Sequence, residues 1–141
     1  MDVREKQKEI PVVLRLFDQR LAQKVQGALG ISVSVSTSKL AAPLFATAAL
    51  DSHVVGAHRI GDDILMVLQL EVQAESTLAQ STVEEIRAKH HFNIIALQQE
   101  EGCWNPEPGP TIRLEAGNRI QVLARSAHLQ DLHALNEGPA A

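Results

Sequence analysis

Along the first third of the chain the spacing of apolar positions changes period twice. VVLRLF, Val12 to Phe17, is a β-branched apolar run and predicts a strand. Asp18 can cap a following helix in which Leu21, Val25 and Leu29 keep helical spacing, and Gly30 sits where that helix should stop. Ile31, Val33 and Val35 then alternate with serines, which predicts a second strand. Strand, helix and strand joined this tightly make one right-handed parallel βαβ unit. Parallel sheets are covered on both faces and rarely consist of two strands, so the unit reads as the end of a larger α/β domain. Residues 1–11 are polar, lack periodicity and end at Pro11, the pattern of a frayed lead-in.

The next segment, STSKLAAPLFATAALDSHVVGA, changes character. Pro43 is expected in the first turn of a helix, where its missing N–H costs little. From there Leu44, Phe45, Ala46, Ala48, Ala49 and Leu50 are apolar on nearly every side, with Thr47 the mild exception. A helix that is apolar all round must be covered all round. With so little sheet nearby, the expected cover is a second copy of the same helix, approached closely over the alanines. A homodimer is therefore expected, with Leu40, Leu44, Phe45, Ala48 and Ala49 at its interface. Residues 1–57 form the first module on this reading and residues 58–141 the second.

In the second module Met66, Leu68, Leu70 and Val72 alternate with Val67, Gln69, Glu71 and Gln73, the period of a strand with one face on a core. Ser81 and Glu84 have capping-box spacing, and Val83 and Ile86 begin the buried stripe of a short helix ending near His91. Phe92 to Leu97 is an apolar strand; Glu100, Glu101 and Gly102 can turn the chain back through Cys103 and Trp104 as a hairpin. Asn105 to Pro110, rich in proline, is expected to be a loop. Ile120, Val122 and Ala124 alternate after a turn at Ala116, Gly117 and Asn118, and Ser126 is placed to cap a last helix carrying Leu129, Leu132 and Leu135. Strand, helix, strand, strand, strand, helix predicts an α+β sandwich, a small antiparallel or mixed sheet with helices on one face.

Composition narrows the function classes. The 141 residues carry 13 basic against 17 acidic side chains, with 3% aromatics and no long basic run, which argues against nucleic acid as a partner. No apolar stretch approaches the roughly 20 residues that span a bilayer, and MDVREKQKEI is charged where a signal peptide would be apolar. The expected location is the cytoplasm. Cys103 is the single cysteine, so an intrachain disulfide is excluded.

Two stretches carry a resemblance. VVLRLFDQRLAQKVQGALGISVSVSTSKLAAPLFATAAL resembles the C-terminal part of the nucleotide-binding domain in the potassium-conductance regulators, the RCK or TrkA-type family. LMVLQLEVQAESTLAQSTVEEIRAKHHFNIIAL, through TIRLEAGNRIQVLA, resembles that family's C-terminal domain. The implied fold is a partial Rossmann-like βαβ unit with a crossover helix, followed by a small TrkA-C (RCK-C) α+β domain. The family's dinucleotide cofactor is held by a glycine-rich G-x-G-x-x-G turn and an acidic residue, and neither is in this chain: Gly27 and Gly30 are too few and follow a helix. The simplest account is that the chain is a piece of a longer regulator. The resemblance further implies a homodimer or ring assembly at the cytoplasmic face of the membrane, partnered by the pore subunit of a potassium channel or transporter.

Some members bind a cyclic dinucleotide effector at the dimer interface of this domain, and the matching positions in IRAKHHFNII are Arg87, Asn93 and Ile94. An arginine can pair bidentately with phosphate, an asparagine can read a base edge and an isoleucine can pack on a base. The competing reading makes Arg87 a solvated helix residue, Asn93 a strand-entry residue and Ile94 core. Two positions depart from the family pattern: His91 stands for a helix-ending glycine, and Asn118 for the aspartate of Gly-Asp-Arg, losing a charge that could pair with Arg119.

The six histidines suggest no metal site by spacing. His90 and His91 are adjacent, His128 and His133 are five apart, and His53 and His58 lie in a segment read as lacking a carboxylate at ligand spacing. Cys103 has no orienting partner or oxyanion pocket in view, so no enzyme is expected. The sequence thus predicts a ligand-sensing and dimerisation module, with a purely structural assembly domain as the alternative.

Overall fold

The computed structural model describes residues 13–29, 33–99 and 102–138, and divides between Ala42 and Pro43 into two compact units. The division drawn from the sequence, after residue 57, falls inside the strand Val54–Ile60, which lies wholly in the second unit.

In the first unit β1 (Val13–Leu16) and β2 (Val33–Ser36) pair in parallel, Val13 opposite Val33 and Leu16 opposite Ser36. Helix α1 (Gln19–Leu29) connects them. It begins as the sequence predicts: Asp18 Oδ1 accepts the N–H groups of Arg20 at 2.7 Å and Leu21 at 3.0 Å, satisfying two of the donors a helix start leaves open. The expectations for residues 1–12, Gly30 and Ile31 lie outside the described residues.

Helix α2 (Thr37–Ala48) starts earlier than expected, and Pro43 lies in its interior. The helix is opened by the Ser36 hydroxyl, which accepts a long hydrogen bond, 3.4 Å, from Lys39 N–H. A proline in mid-helix removes one backbone bond. Thr47 is the buried residue of α2, and its hydroxyl donates back to the carbonyls of Pro43 at 2.8 Å and Leu44 at 3.2 Å. The apolar side chains are not enclosed within one copy of the chain: Leu44 packs against the core of the second unit, whereas Leu40, Phe45, Ala48, Ala49 and Leu50 are exposed.

The second unit is a five-stranded antiparallel sheet in the order β3-β4-β7-β5-β6. The chain forms β3 (Val54–Ile60), β4 (Asp63–Glu71), helix α3 (Val83–Lys89), β5 (Phe92–Gln98), β6 (Asn105–Pro106), β7 (Arg119–Arg125) and helix α4 (Leu129–Glu137). β3 is an addition to the elements read from the sequence; its His58 and Arg59 interrupt the apolar signal, and Gly61, at φ 60°, turns it into β4. The predicted alternation then holds: Met66, Leu68 and Leu70 of β4 and Ile120, Val122 and Ala124 of β7 are all buried, and share one core with Phe92, Ile94 and Leu97 of β5. Val83 and Ile86 of α3 and Leu132 of α4 close the same core, so both helices cover one face.

Three local expectations are corrected. The capping box of α3 uses Thr82 and Glu85, one residue beyond the Ser81 and Glu84 chosen from the sequence. In β6 the return strand is Asn105–Pro106, past Cys103 and Trp104, with Ala96 opposite Pro106 and Leu97 opposite Asn105; Glu100 and Glu101 lie outside the described residues. Ser126 caps nothing with its side chain: a 3-10 turn, Ser126–His128, leads into α4.

Candidate functional site

The first turn of α3, the helix that carries Arg87, is closed by a capping box. Glu85 N–H donates to Thr82 Oγ1 at 3.2 Å, while Thr82 N–H donates to the Glu85 carboxylate at 2.8 Å. That backbone donor, followed by the Thr82 hydroxyl, holds the Glu85 carboxyl below its ordinary range. Val83 and Ile86 face the core, which leaves Glu84 and Arg87 on the open side of the helix.

Arg87 and Asn93, on α3 and β5, line one groove of about 980 Å³ together with Ile95, Glu107, Pro108 and Leu123. Asn93 lies opposite Leu123 in the β5–β7 ladder, so the two share a face. Ile94 borders the groove but is 8% exposed and belongs to the core cluster. The register shift between Ile94 and Ala96 displaces Ile95, which is partly exposed beside Asn93 and was not singled out from the sequence. Its only signal is as the third apolar residue of a run too short for alternation to assign faces.

The charge of this groove comes from one guanidinium and the carboxylates of Glu84 and Glu107. Among the described residues the side chains of Arg87 and Asn93 have no hydrogen-bond or ion-pair partner. Glu107 adopts φ 59°, sparsely populated for a non-glycine residue, and its N–H donates to Ile95 O at 3.0 Å. The groove can thus present a bidentate donor, an amide and an apolar strip to one ligand.

Neither departure from the family pattern disturbs this frame. The helix ends at His90, in extended conformation with φ −126°, and His91 does not have the positive φ that a helix-ending glycine usually takes. Asn118 turns inward: it is buried, its Oδ1 accepts Glu115 N–H at 3.1 Å and its carbonyl accepts Val72 N–H at 2.8 Å. Arg119 instead reaches Gln98 Oε1 at 3.4 Å.

The histidines are distributed differently from expectation. His91 and His128 stack with centroids 4.8 Å apart. Asp51, two residues before His53, supplies the carboxylate that the sequence reading found lacking. Its Oδ1 lies 2.8 Å from His53 Nδ1 and its Oδ2 2.5 Å from His133 Nε2. Burial pushes the Asp51 carboxyl up, but the hydrogen bonds from the His133 ring and from the His53 backbone and ring outweigh it and hold the group below its ordinary value. His53 and His133 are 80 residues apart, so no local spacing could have joined them. Cys103 is exposed and free, and no described nucleophile–base pair forms around it.

Among the described residues no helix is long and apolar enough to cross a membrane. No curated protein matches the chain. Among solved structures it is similar to the GsuK channel bound to NAD, at 16% identity over 95% of this chain and 24% of that one, with a TM-score of 0.43. It is also similar to the RCK C domain of the potassium transport protein KtrA in complex with cyclic diadenosine monophosphate, at 20% identity over 65% of this chain and 94% of that one, TM-score 0.40. The chain spans about a quarter of the length of the GsuK chain. Residues 67–136, from the second half of β4 into α4, match the TrkA-C domain family, the domain that its sequence resembles.

Proposed function

We propose that this chain is a non-enzymatic regulatory module of a potassium channel or transporter, and that its groove between α3 and β5 binds a cyclic dinucleotide effector. The observation that carries the reading is the meeting of Arg87 and Asn93 on one groove wall, from two different elements, with both side chains lacking partners among the described residues. Arg87 would take a phosphate in a forked pair, Asn93 a base edge, and Ile95 with the rim of Ile94 a base face. Glu84 and Glu107 disfavour a bare phosphate, so the base contacts have to supply part of the affinity. A two-fold homodimer would offer two such grooves to a two-fold symmetric ligand. Signalling then requires that the effector bind one dimer geometry better than another, because equal affinity for both shifts nothing.

Calorimetric titration of the purified chain with cyclic diadenosine monophosphate tests this. Binding that falls at least tenfold in Arg87→Ala, with folding unchanged, supports the reading; no binding by the wild type, or equal binding by the variant, removes it.

A structural assembly role is favoured by a different observation: Phe45 is 74% exposed and Leu50 is 78% exposed. Apolar side chains left this open are suited to a second copy of the chain. If Phe45→Glu abolishes regulation of transport while Arg87→Ala and Asn93→Ala leave it intact, assembly is the whole role.

A further inference from the structure

Two imidazoles converge on one carboxylate at the junction of the turn after α2 with helix α4. Asp51 follows the last turn of α2, where its N–H donates to Thr47 O at 3.0 Å. Its Oδ1 also accepts His53 N–H at 2.8 Å, which fixes the short Asp-Ser-His turn and aims the His53 ring back at the carboxylate. His133 arrives from the second turn of α4. His53 Nδ1, His133 Nε2 and the Asp51 carboxylate lie within 4.8 Å of one another.

We infer that Asp51, His53 and His133 form a binding site for a divalent transition ion of the zinc class. Two neutral imidazoles and one carboxylate are a common donor set for such ions, and tetrahedral zinc at ordinary bond lengths of roughly 2.0–2.2 Å sets its donors about 3.4 Å apart. The separations of 2.5 and 2.8 Å need to open by less than an ångström while the widest, within 4.8 Å, has to close, and rotation of the two rings and the carboxylate moves all three donors. The Asp51 side chain is 7% exposed, whereas the His53 side chain is 51% exposed. The anchor is therefore fixed and the mouth is open, leaving an entry path and a free coordination position. Glu137, one helical turn beyond His133 on α4, lines both clefts that His53 and His133 line, and offers a carboxylate oxygen as a fourth donor. Metal binding here would tie the end of α2 to α4 and would displace the ring protons that now face Asp51. This site shares no residue with the α3–β5 groove.

The test uses the full chain, dialysed against chelator and then buffer, titrated with zinc chloride in a calorimeter and assayed for bound metal by mass spectrometry. The expected result is one zinc per chain. His53→Gln and His133→Gln should each weaken binding by at least the roughly 10–100-fold that loss of an outer-shell partner brings. His53 lies at the surface, so its variant keeps the test open if His133→Gln misfolds, and circular dichroism identifies that case. The double variant His90→Gln/His91→Gln, which removes the rings stacked on Phe92 and His128, should bind like wild type. The inference is overturned if the wild type takes up no stoichiometric zinc, if folded His53→Gln or folded His133→Gln binds as tightly as wild type, or if binding follows His90 and His91 instead.

Discussion

Thr82 and Glu85 hold each other reciprocally at the start of α3, each backbone N–H donating to the other's side chain, at 3.2 and 2.8 Å. The pair sits one residue later than the box read from the sequence, while Val83 and Ile86 keep the buried side and Arg87 the open one. Removing the hydroxyl in Thr82→Ala should cost about 1 kcal/mol, within the range for lost N-caps. For a domain of this size that lowers the melting temperature by several degrees, measurable by thermal denaturation followed by circular dichroism.

The same pair predicts an acid-side dependence. The folded Glu85 carboxyl titrates below its unfolded value, because Thr82 N–H and then the Thr82 hydroxyl favour the ionised form. A depressed folded pKa contributes stability that is fully present above the unfolded value of about 4.3, and that is lost as pH falls through the folded pKa. Carboxyl-detected NMR titration should place Glu85 below the ordinary glutamate range. In Glu85→Gln the stability difference from wild type should shrink as pH drops through that window; a difference independent of pH would contradict the assignment.

Asn118 is 4% exposed and closes the Glu115–Asn118 turn from inside. Asn118→Ala strands the Glu115 N–H and should cost about 1–3 kcal/mol. Asn118→Asp keeps an acceptor at the same place and should lose less, so the order wild type, Asp, Ala in chemical denaturation is the expected outcome.

Leu132 is fully buried where α4 meets the sheet. Leu132→Ala should destabilise by about 2–5 kcal/mol through lost burial and the cavity left behind. Because α4 also carries His133, the chain should lose zinc affinity in parallel with stability.

Much of the frame was legible because it obeys simple periods. Alternation placed Met66, Leu68, Leu70, Ile120, Val122 and Ala124 on the core face, and spacing put Val83 and Ile86 on the buried side of a short helix. Asp18 was readable as a cap because capping is a contact over two or three residues. The failures have a shared physical origin. β3 carries His58 and Arg59 in its outer part, since only part of it faces the core, and a bulge separates Val54 from Gly56 in its ladder. Local cost favours Pro43 in a first turn, but Ser36 starts the helix ahead of it. In the candidate groove, Arg87 and Asn93 could be named in advance, yet Ile95 depends on a bulge that slips the β5 register by one residue. Asp51, His53 and His133 depend on contacts 82 residues long, for which no sequence period exists.

The strand at the middle of the sheet, β7, is also the last of these five to leave the ribosome. Until Arg119–Arg125 emerges, the hairpin of β3 with β4 and the hairpin of β5 with β6 each have an unfilled side, and neither can knit to the other. Nascent chains halted short of Arg119 should therefore expose two sticky margins and engage chaperones, whereas chains in which α4 has also emerged should acquire protease resistance in one concerted step.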